Sequence, residues 1–216
     1  MPNIISIEGN IGSGKSTLLK ELKEYFKNTN NIIFLDEPVD EWEEIKDSNG
    51  VTILSKFYGD QKKYSFAFQM MAYISRLNIL KKAVDSNPDA IIITERCLNT
   101  DRYVFAKMLY DSGLLEDVEY QIYIKWFDSF NDIVKIQKLI YLNTDPEICF
   151  FRIGKRNRTG ESNISLEYLI KCHDYHENMI NNMRDYTYII NSNVDIEKEE
   201  NILINWIENI KNFIKQ

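Results

Sequence analysis

The fold is decided by the stretch Ile4-Ile5-Ser6-Ile7-Glu8-Gly9-Asn10-Ile11-Gly12-Ser13-Gly14-Lys15-Ser16-Thr17. Its segment Gly9–Ser16 fits the pattern G-x-x-x-x-G-K-[ST], the glycine-rich phosphate-binding loop between a strand and a helix. Glycines let successive N–H groups turn toward phosphate oxygens, and the following helix adds its positive dipole end. Lys15 supplies a charge for the outer phosphates, and the Ser16 hydroxyl can ligate Mg²⁺. The stretch therefore predicts a nucleoside triphosphate site.

The flanking residues support this interpretation over a loop that only turns the chain. Apolar residues of Ile4–Ile7 precede the loop, and Leu18–Leu22 follows with helical spacing. The residues expected to hold the triphosphate are Gly9, Asn10, Ile11, Gly12, Ser13, Gly14, Lys15, Ser16 and Thr17.

Composition indicates an ordinary folded domain in a reducing compartment. The 216 residues are 44% hydrophobic and 27% charged, which suits one domain spanning residues 1–216. The net charge of −7 argues against a nucleic-acid polymer as partner. The three scattered cysteines are predicted to be reduced thiols, no run is long enough for a membrane span, and the first strand leaves no room for a signal peptide. We therefore expect a cytoplasmic protein with no membrane partner.

Five short β-branched or apolar runs alternate with segments of helical periodicity, which is typical of a parallel sheet with helices on both faces. The predicted strands are Ile4–Ile7, Ile32–Leu35, Ala90–Thr94, Leu139–Leu142 and Thr187–Ile190. Ligands of such sheets bind at the carboxyl ends of the strands. Three of these ends carry the glycine-rich loop, Asp36-Glu37 and Glu95-Arg96. We therefore expect these groups to meet at one edge of the sheet.

The segment Lys63–Asp85 is predicted to be one helix with two distinct faces. Gln69, next to Phe68, is expected to serve a ligand, although a solvated Gln69 beside a core phenylalanine is the open alternative. An apolar stripe consists of Phe66, Met70, Ile74, Leu77 and Leu80, and a second face consists of Gln69, Ala72, Tyr73 and Arg76.

A basic segment is predicted to form a lid over phosphates at about residues 152–164. Arg152 and Arg156 are spaced i, i+4, so one helix face presents both guanidinium groups, and Arg158 enters a loop that contains Gly160. Arginine suits bidentate phosphate contacts better than lysine does. The alternative is a solvated charged face.

Glu37, just beyond the second predicted strand, is a candidate general base. A hydroxyl acceptor needs a base, whereas a phosphate acceptor is already anionic and needs only cations. A triphosphate loop, a carboxylate base and an arginine lid together suggest a kinase that acts on an alcohol.

These motifs resemble those of the deoxyribonucleoside kinase family. The resemblance extends in order from about residue 3 to residue 195. It implies a P-loop kinase fold, ATP as phosphoryl donor, Mg²⁺, a small-molecule deoxynucleoside as substrate, and a homodimer formed through helices. It rests on Glu8–Thr17, Glu37-Pro38-Val39-x-x-Trp42, Phe68-Gln69, Glu95-Arg96, Asp101-Arg102-Tyr103-x-Phe105, Arg152-x-x-x-Arg156-x-Arg158-x-x-Glu161 and Leu166-Glu167-Tyr168-Leu169.

The resemblance also implies residue roles. Glu37 would take the proton of the sugar 5′-hydroxyl, and Arg96 would steady that base and the transferring phosphoryl group. Glu95 would hold Mg²⁺ with Ser16, and Lys15 would act with Glu37 and Arg96 in catalysis. The implied substrate contacts are Glu37, Trp42, Tyr58, Phe68, Gln69, Arg76, Arg96, Asp101, Phe105 and Glu161, with Tyr58 and Glu161 on the 3′-hydroxyl. Beyond the loop, the implied ATP contacts are Arg152 near the adenine and Arg156 and Arg158 on the phosphates.

Arg76 and Asp101 match the positions where deoxycytidine- and purine-preferring members of the family carry an Arg–Asp pair. A carboxylate held by arginine can accept a hydrogen bond from an exocyclic amine but would face the carbonyl of thymine unpaired. An unpaired buried polar group costs roughly 1–3 kcal/mol. We therefore expect deoxycytidine, deoxyadenosine or deoxyguanosine to be preferred over thymidine. The alternative for Arg76–Asp101 is a purely structural ion pair.

Other interpretations remain open at this point. A thymidylate kinase would also carry Asp101-Arg102-Tyr103, and a non-catalytic relative could serve as an interaction subunit. Cys97 stands where the family usually has serine, and we expect it to be a buried, unreactive thiol. His173 and His176, spaced i, i+3 beside Cys172, could imitate a metal site, but we expect them to pack within a helix.

Overall fold

The computed structural model describes residues 3–130, 134–158, 160–195 and 199–215, excluding the side chains of Ser162 and Glu200. This part of the chain is built around a parallel sheet of five strands in the order β2-β3-β1-β4-β5. The predicted parallel α/β fold is therefore confirmed, and every predicted strand is present. The strands are β1 (Asn3–Gly9), β2 (Ile32–Leu35), β3 (Ile91–Glu95), β4 (Lys138–Asn143) and β5 (Thr187–Asn191).

Helices connect the strands and begin at recognisable caps. The side chain of Asp60 caps α4 by accepting a hydrogen bond from the Lys63 N–H, and Ser165 caps α9 in the same way. A π-helical segment, Asp101–Ala106, joins two short helices that follow β3. The helices are α1 (Lys15–Tyr25), α2 (Val39–Glu44), α3 (Ile53–Gly59), α4 (Gln61–Ser86), α5 (Leu98–Thr100), α6 (Lys107–Asp111), α7 (Asp117–Phe130), α8 (Pro146–Arg156), α9 (Leu166–Asn182) and α10 (Glu200–Lys215), with 3₁₀ turns at Glu161–Asn163 and Arg184–Tyr186.

Both faces of the sheet are covered because successive side chains of a strand point to opposite faces. In β1, Ile5 and Ile7 pack in one apolar cluster with residues of α1 and α10. Ile4 packs in another cluster, together with residues of α3 and α4. The helices on both faces that the sequence predicts are confirmed.

The predicted helix Lys63–Asp85 is present as α4, but its faces are used differently from what the apolar pattern suggests. Gln69 and Arg76 are only 2% and 1% exposed, whereas Ile74 of the apolar stripe is 46% exposed. Gln69 is therefore not solvated. The polar face lies inward because it borders a cavity where its side chains meet charged partners, and the apolar stripe is left partly uncovered.

The carboxyl ends of the strands meet at one edge. The strand order reverses at β1, so the loop after β1 lies between β3 and β4. Ile7 is in register with Glu95, and Gly9 with Leu142. This pairing places the glycine-rich loop beside Glu95 and Arg96. None of the described helices combines the length and hydropathy needed to cross a membrane.

Candidate active site

A cavity of about 660 Å³ opens at the carboxyl edge of the sheet. It brings together most of the site residues predicted from the sequence. They come from the glycine-rich loop, the ends of β2 and β3, α2, α3, α4, the π-helical segment, α8 and the segment that follows α8. The predicted residues on its wall are Ile11, Gly12, Ser13, Gly14, Lys15, Ser16, Thr17, Glu37, Trp42, Tyr58, Phe68, Gln69, Arg76, Glu95, Arg96, Asp101, Phe105, Arg152, Arg156, Arg158 and Glu161.

Two predicted residues, Gly9 and Asn10, lie behind the wall of the cavity. The Asn10 side chain is 2% exposed, donates to the Leu169 carbonyl oxygen at 2.8 Å and accepts from the Ile11 N–H. Asn10 thus ties the loop to α9 through its side chain. Gly9 has φ +146°, and a Cβ there would meet the Ser13 Oγ at 2.6 Å.

The loop has the shape that phosphate binding requires. Gly12 has φ +80°, and a Cβ at this position would lie 2.6 Å from the Cys149 carbonyl oxygen. Lys15 begins α1, and its Nζ donates to the Asn10 carbonyl oxygen at 2.7 Å. Burial, together with the nearby Arg96, lowers the pKa of Lys15 to about 8. Because this value still lies above neutral pH, Lys15 stays mostly charged, and an incoming anion would raise its pKa again.

The predicted Mg²⁺ ligands are adjacent at the start of α1. The Ser16 Oγ donates to the Glu95 Oε1 at 3.0 Å, and Glu95 is 4% exposed. A hydroxyl and a carboxylate supply the oxygen ligands that Mg²⁺ prefers, beside the loop that would hold the phosphates. The residues present therefore fit this cation.

Glu37 lies at the centre of a buried ion network. Its Oε1 accepts from the Arg96 Nη1 at 2.6 Å and from the Arg76 Nη2 at 3.1 Å. Burial alone would raise the pKa of Glu37, but the two arginines outweigh this effect and lower it to about 2. Among the described residues, none donates to the other carboxylate oxygen, Oε2.

Arg96 holds a strained backbone conformation. Its φ is +60°, in the left-handed region, which costs a non-glycine residue roughly 1–2 kcal/mol. The guanidinium packs over the Phe105 ring at 5.2 Å. Its Nε and Nη2 are buried and have no hydrogen-bond partner in the described part of the chain. These N–H groups are therefore available to an anionic ligand.

Arg76 and Asp101 form the ion pair that their positions suggest. The Arg76 Nε donates to the Asp101 Oδ2 at 2.9 Å, and the Arg76 Nη1 donates to the Glu95 carbonyl oxygen at 2.8 Å. Burial raises the pKa of Asp101, while Arg76 opposes this shift. Arg76 also contacts Glu37, so its one side chain links Asp101, the backbone of Glu95 and Glu37.

Aromatic rings and one side-chain amide also line the cavity. Phe68 stacks on Phe57 with ring centroids 4.6 Å apart and meets Trp42 edge-on at 5.3 Å. The Trp42 indole donates to the Ser75 Oγ at 2.9 Å. Gln69 lines the same wall, and none of the described residues hydrogen-bonds to its side-chain amide.

The predicted lid arginines already have partners. The Arg156 Nη2 bonds both carboxylate oxygens of Glu161, at 2.8 and 2.6 Å, and Arg158 lies 3.5 Å from the same carboxylate. Burial raises the pKa of the neighbouring Tyr58 well above its ordinary value. Thr159, within the predicted lid, lies outside the described residues.

Arg152 connects two segments of the chain by hydrogen bonds. Its guanidinium donates to the carbonyl oxygens of Ser13, Ser192 and Val194, at 3.2, 3.0 and 2.8 Å. It therefore ties the glycine-rich loop to the chain that follows β5.

Several residues of the cavity wall were not predicted. Phe57 and Tyr168 adjoin the predicted aromatic residues, and Trp206 reaches the cavity from α10. Ser192–Asp195 follows β5 directly and lies in the loop near Asn191–Asp195, where the family resemblance, although loose, suggests the ATP base. No local sequence pattern predicts that Trp206 lines the cavity. Arg102 does not line the cavity, because its Nη1 donates to Asp128 of α7 at 2.6 Å.

The cysteines and His176 behave as packed residues. The three cysteines are free and buried, and burial together with the nearby Glu8 raises the pKa of Cys97 well above its usual value. The His176 Nδ1 lies 2.7 Å from the Cys172 carbonyl oxygen, and burial lowers the pKa of this imidazole to about 3.

Comparison with known proteins identifies clear relatives. A family model described as deoxynucleoside kinase matches residues 5–215. A protein named "Probable deoxycytidine kinase" from Fowlpox virus (strain NVSL) is 34% identical over 220 residues, covering 98% of this chain and 88% of the viral protein. Human deoxycytidine kinase is 36% identical over 196 residues, covering 82% and 74% of the two chains. Human mitochondrial thymidine kinase 2 is 34% identical over 177 residues, covering 81% of this chain and 63% of the human protein.

The pKa of Glu37 makes stability depend on pH. Its value is about 2 in the folded protein against an ordinary 4.5, so the ion network contributes stability that is fully present above pH 4.5 and is lost as the pH falls toward 2. We expect the difference in unfolding free energy between wild type and Glu37→Gln to shrink across this window. Urea denaturation at a series of pH values measures it.

Asp36→Asn is the matched control for this experiment. The Asp36 side chain is 69% exposed and pairs with Lys23, so its removal should change stability little at any pH. A difference between wild type and Glu37→Gln that stays constant on acidification would contradict the assigned network.

Proposed function

Because this chain belongs to the deoxynucleoside kinase family, whose enzymes transfer a phosphoryl group to a nucleoside hydroxyl, we propose that it phosphorylates the 5′-hydroxyl of a deoxyribonucleoside with ATP. The observation that carries the proposal is one cavity that contains both the phosphate-binding loop and the Glu37 carboxylate. This reaction serves nucleotide salvage. We further propose that residues 1–216 act as one kinase domain in the cytoplasm, where buried free thiols stay reduced.

The donor half of the site would hold the triphosphate of ATP. The loop N–H groups and Lys15 would surround the phosphates, and Ser16 and Glu95, which lie 3.0 Å apart, would hold Mg²⁺, which would neutralise phosphate charge. Arg156 and Arg158 would exchange Glu161 for phosphate oxygens, so the segment at about residues 152–164 would act as a lid. Arg152 would adjoin the adenine, beside Ser192–Asp195.

In the acceptor half, Glu37 would be the general base. Its Oε1 is held by two arginines, so its Oε2 can accept the hydroxyl proton. The pKa of about 2 keeps this carboxylate ionised at neutral pH. The unpaired N–H groups of Arg96 would stabilise the charge on the transferring phosphoryl group.

The sugar and the base would lie between α3 and α4. Tyr58 and Glu161, once released by the arginines, would bind the 3′-hydroxyl. Gln69 offers one donor and one acceptor to the edge of the base. Phe68 and Phe105 would flank the base, with Trp42 behind them.

Base preference would follow from the ion pair of Arg76 and Asp101. Asp101 is 2% exposed and held by Arg76 at 2.9 Å, so it can accept from an exocyclic amine. The carbonyl of thymine would leave this carboxylate without a donor. We therefore propose deoxycytidine, deoxyadenosine or deoxyguanosine as the preferred substrate.

The decisive experiment measures phosphorylation of the four deoxynucleosides and of thymidine monophosphate with ATP and Mg²⁺. We expect amino-bearing deoxynucleosides to have the highest kcat/KM. Phosphorylation of the monophosphate alone would instead support a thymidylate kinase. ATP binding with no turnover of any acceptor would support a non-catalytic interaction subunit.

Replacing Glu37 with Gln should keep nucleoside binding and lower kcat by about 10²–10⁴-fold, because proton acceptance is lost while shape is retained. Steady-state kinetics and calorimetric binding measure the two effects. Asp36→Asn, an exposed neighbour, is the control. A kcat near that of wild type for Glu37→Gln would rule out the assignment as base.

Changing Arg76 to Met together with Asp101 to Ala should shift preference toward thymidine by roughly ten- to hundredfold, because the unpaired carboxylate is removed. The ratio of kcat/KM between thymidine and deoxycytidine measures the shift. The double variant Arg102→Met with Asp128→Ala removes an ion pair outside the cavity and should leave the ratio unchanged. If the kcat/KM ratio were the same in both double variants, Arg76 and Asp101 would have only a structural role.

We also propose a homodimer formed through α4 and α7. Val118, Ile122 and Trp126 repeat every four residues along α7 and are 64%, 41% and 45% exposed. Ile74 of α4 is exposed nearby, since the Tyr73 hydroxyl donates to the Trp126 carbonyl oxygen at 3.3 Å. Exposed apolar residues on two helices that contact each other suit an interface with a second copy of this chain.

Ile122→Lys should therefore convert a dimer into a monomer, because it places a charge in the apolar interface. Light scattering coupled to size-exclusion chromatography measures the mass. Ile204→Lys, on a 57% exposed residue of α10, should leave the mass unchanged. A monomeric wild-type protein would contradict the proposal.

A further inference from the structure

Glu8 is a fully buried carboxylate at the end of β1 that the proposed mechanism does not use. It is 0% exposed and does not line the cavity. Its Oε1 accepts from the Ser6 Oγ at 2.5 Å, and its Oε2 accepts from the Thr100 Oγ1 at 2.5 Å. Among the described residues, no lysine or arginine pairs with it. A carboxyl group held in the core by hydroxyl and thiol groups, with no cation among the described residues, calls for an explanation.

The partners of Glu8 lie directly beside Arg96. Cys97 is the next residue, is fully buried, and directs its thiol to Glu8 and Thr100. Thr100 lies one helical turn further along and is 92 residues from Glu8 in sequence. The network therefore fastens the chain that follows Arg96 to the end of β1.

The backbone of Arg96 is fixed by the same strand. Its N–H donates to the Ile7 carbonyl oxygen at 3.0 Å, and the Thr94 Oγ1 donates to its carbonyl oxygen at 3.1 Å. A left-handed residue persists only where its surroundings hold it. Ile7 and Thr94 hold Arg96 itself, and Glu8 holds Cys97 and Thr100, which follow it.

We propose that Glu8 is a positioning residue, which acts through Thr100 and Cys97 to hold Arg96 in the conformation that reaches Glu37. The proposal rests on the role proposed above for Arg96. A carboxylate suits this task because it accepts at both oxygens, and its three neighbours are hydroxyl or thiol donors. Glutamine has one acceptor oxygen, and its NH₂ group donates, so the hydroxyl that faces it would have to turn its own hydrogen away.

Glu8→Gln should lower kcat by about 10–100-fold, because a displacement of about 1 Å in a catalytic group has an effect of this size. KM for the deoxynucleoside should stay within about threefold, since Glu8 touches no ligand. Thr100→Val should show the same loss, and Thr100→Ser, which keeps the hydroxyl, should restore the rate. Thr100 thus tests the network even if Glu8→Gln does not fold.

Thr187→Val is the control for a lost internal hydroxyl. The Thr187 Oγ1 donates to the Met183 carbonyl oxygen at 2.8 Å, away from the cavity. This variant should lose stability while its kcat stays unchanged. If Thr100→Val also loses stability with an unchanged kcat, Glu8 is structural only and the proposal is overturned.

A double-mutant cycle separates this proposal from the proposed function. In an Arg96→Ala background, Glu8→Gln should reduce kcat by less than about threefold further, because the group it positions is gone. Fully additive losses would overturn the positioning role. Unimpaired turnover by Arg96→Ala would instead overturn the role of Arg96, whatever Glu8→Gln does.

Discussion

The site depends on the mutual neutralisation of four buried ionic groups. Glu37 and Asp101 face Arg76 and Arg96, and each cation lies within about 3 Å of a carboxylate. Removing one member of a buried pair costs about 3–5 kcal/mol, because its partner is left charged without solvent. The four residues come from the ends of β2 and β3, from α4 and from the π-helical segment. The network therefore forms only when sheet, helix and π segment are all in place.

Much of this arrangement could be predicted from local patterns. The alternation of strands and helices predicts the parallel sheet, and the strand-end rule brings Glu37, Glu95 and Arg96 to the glycine-rich loop. The spacing of Gln69 and Arg76 predicts one helix face for both, and both are buried in α4. These inferences succeed because they rest on periodicity and on the geometry of parallel sheets.

Other features depend on contacts between distant parts of the chain. The pairing of Arg156 with Glu161 could not be predicted from motifs that assign the two residues to different ligands. The inward face of α4 is the polar one because its partners come from other elements, which hydrophobic periodicity does not report. Neither the π-helical segment nor the left-handed Arg96 leaves a signature in the residue types.

The central position of β1 in the sheet has a consequence for how the chain folds during synthesis. β1 precedes both of its neighbours in sequence: Asn3 pairs with Ile91, and Ile5 pairs with Lys138. During synthesis, one edge of β1 lacks a strand partner until β3 (Ile91–Glu95) has left the ribosome, and the other edge lacks one until β4 (Lys138–Asn143) has done so. The phosphate-binding loop is thus made well before the two strands that flank β1, and it acquires its rigid support only when they pair. Such long-range pairing is slow to form and leaves apolar strand edges open to aggregation in the interval.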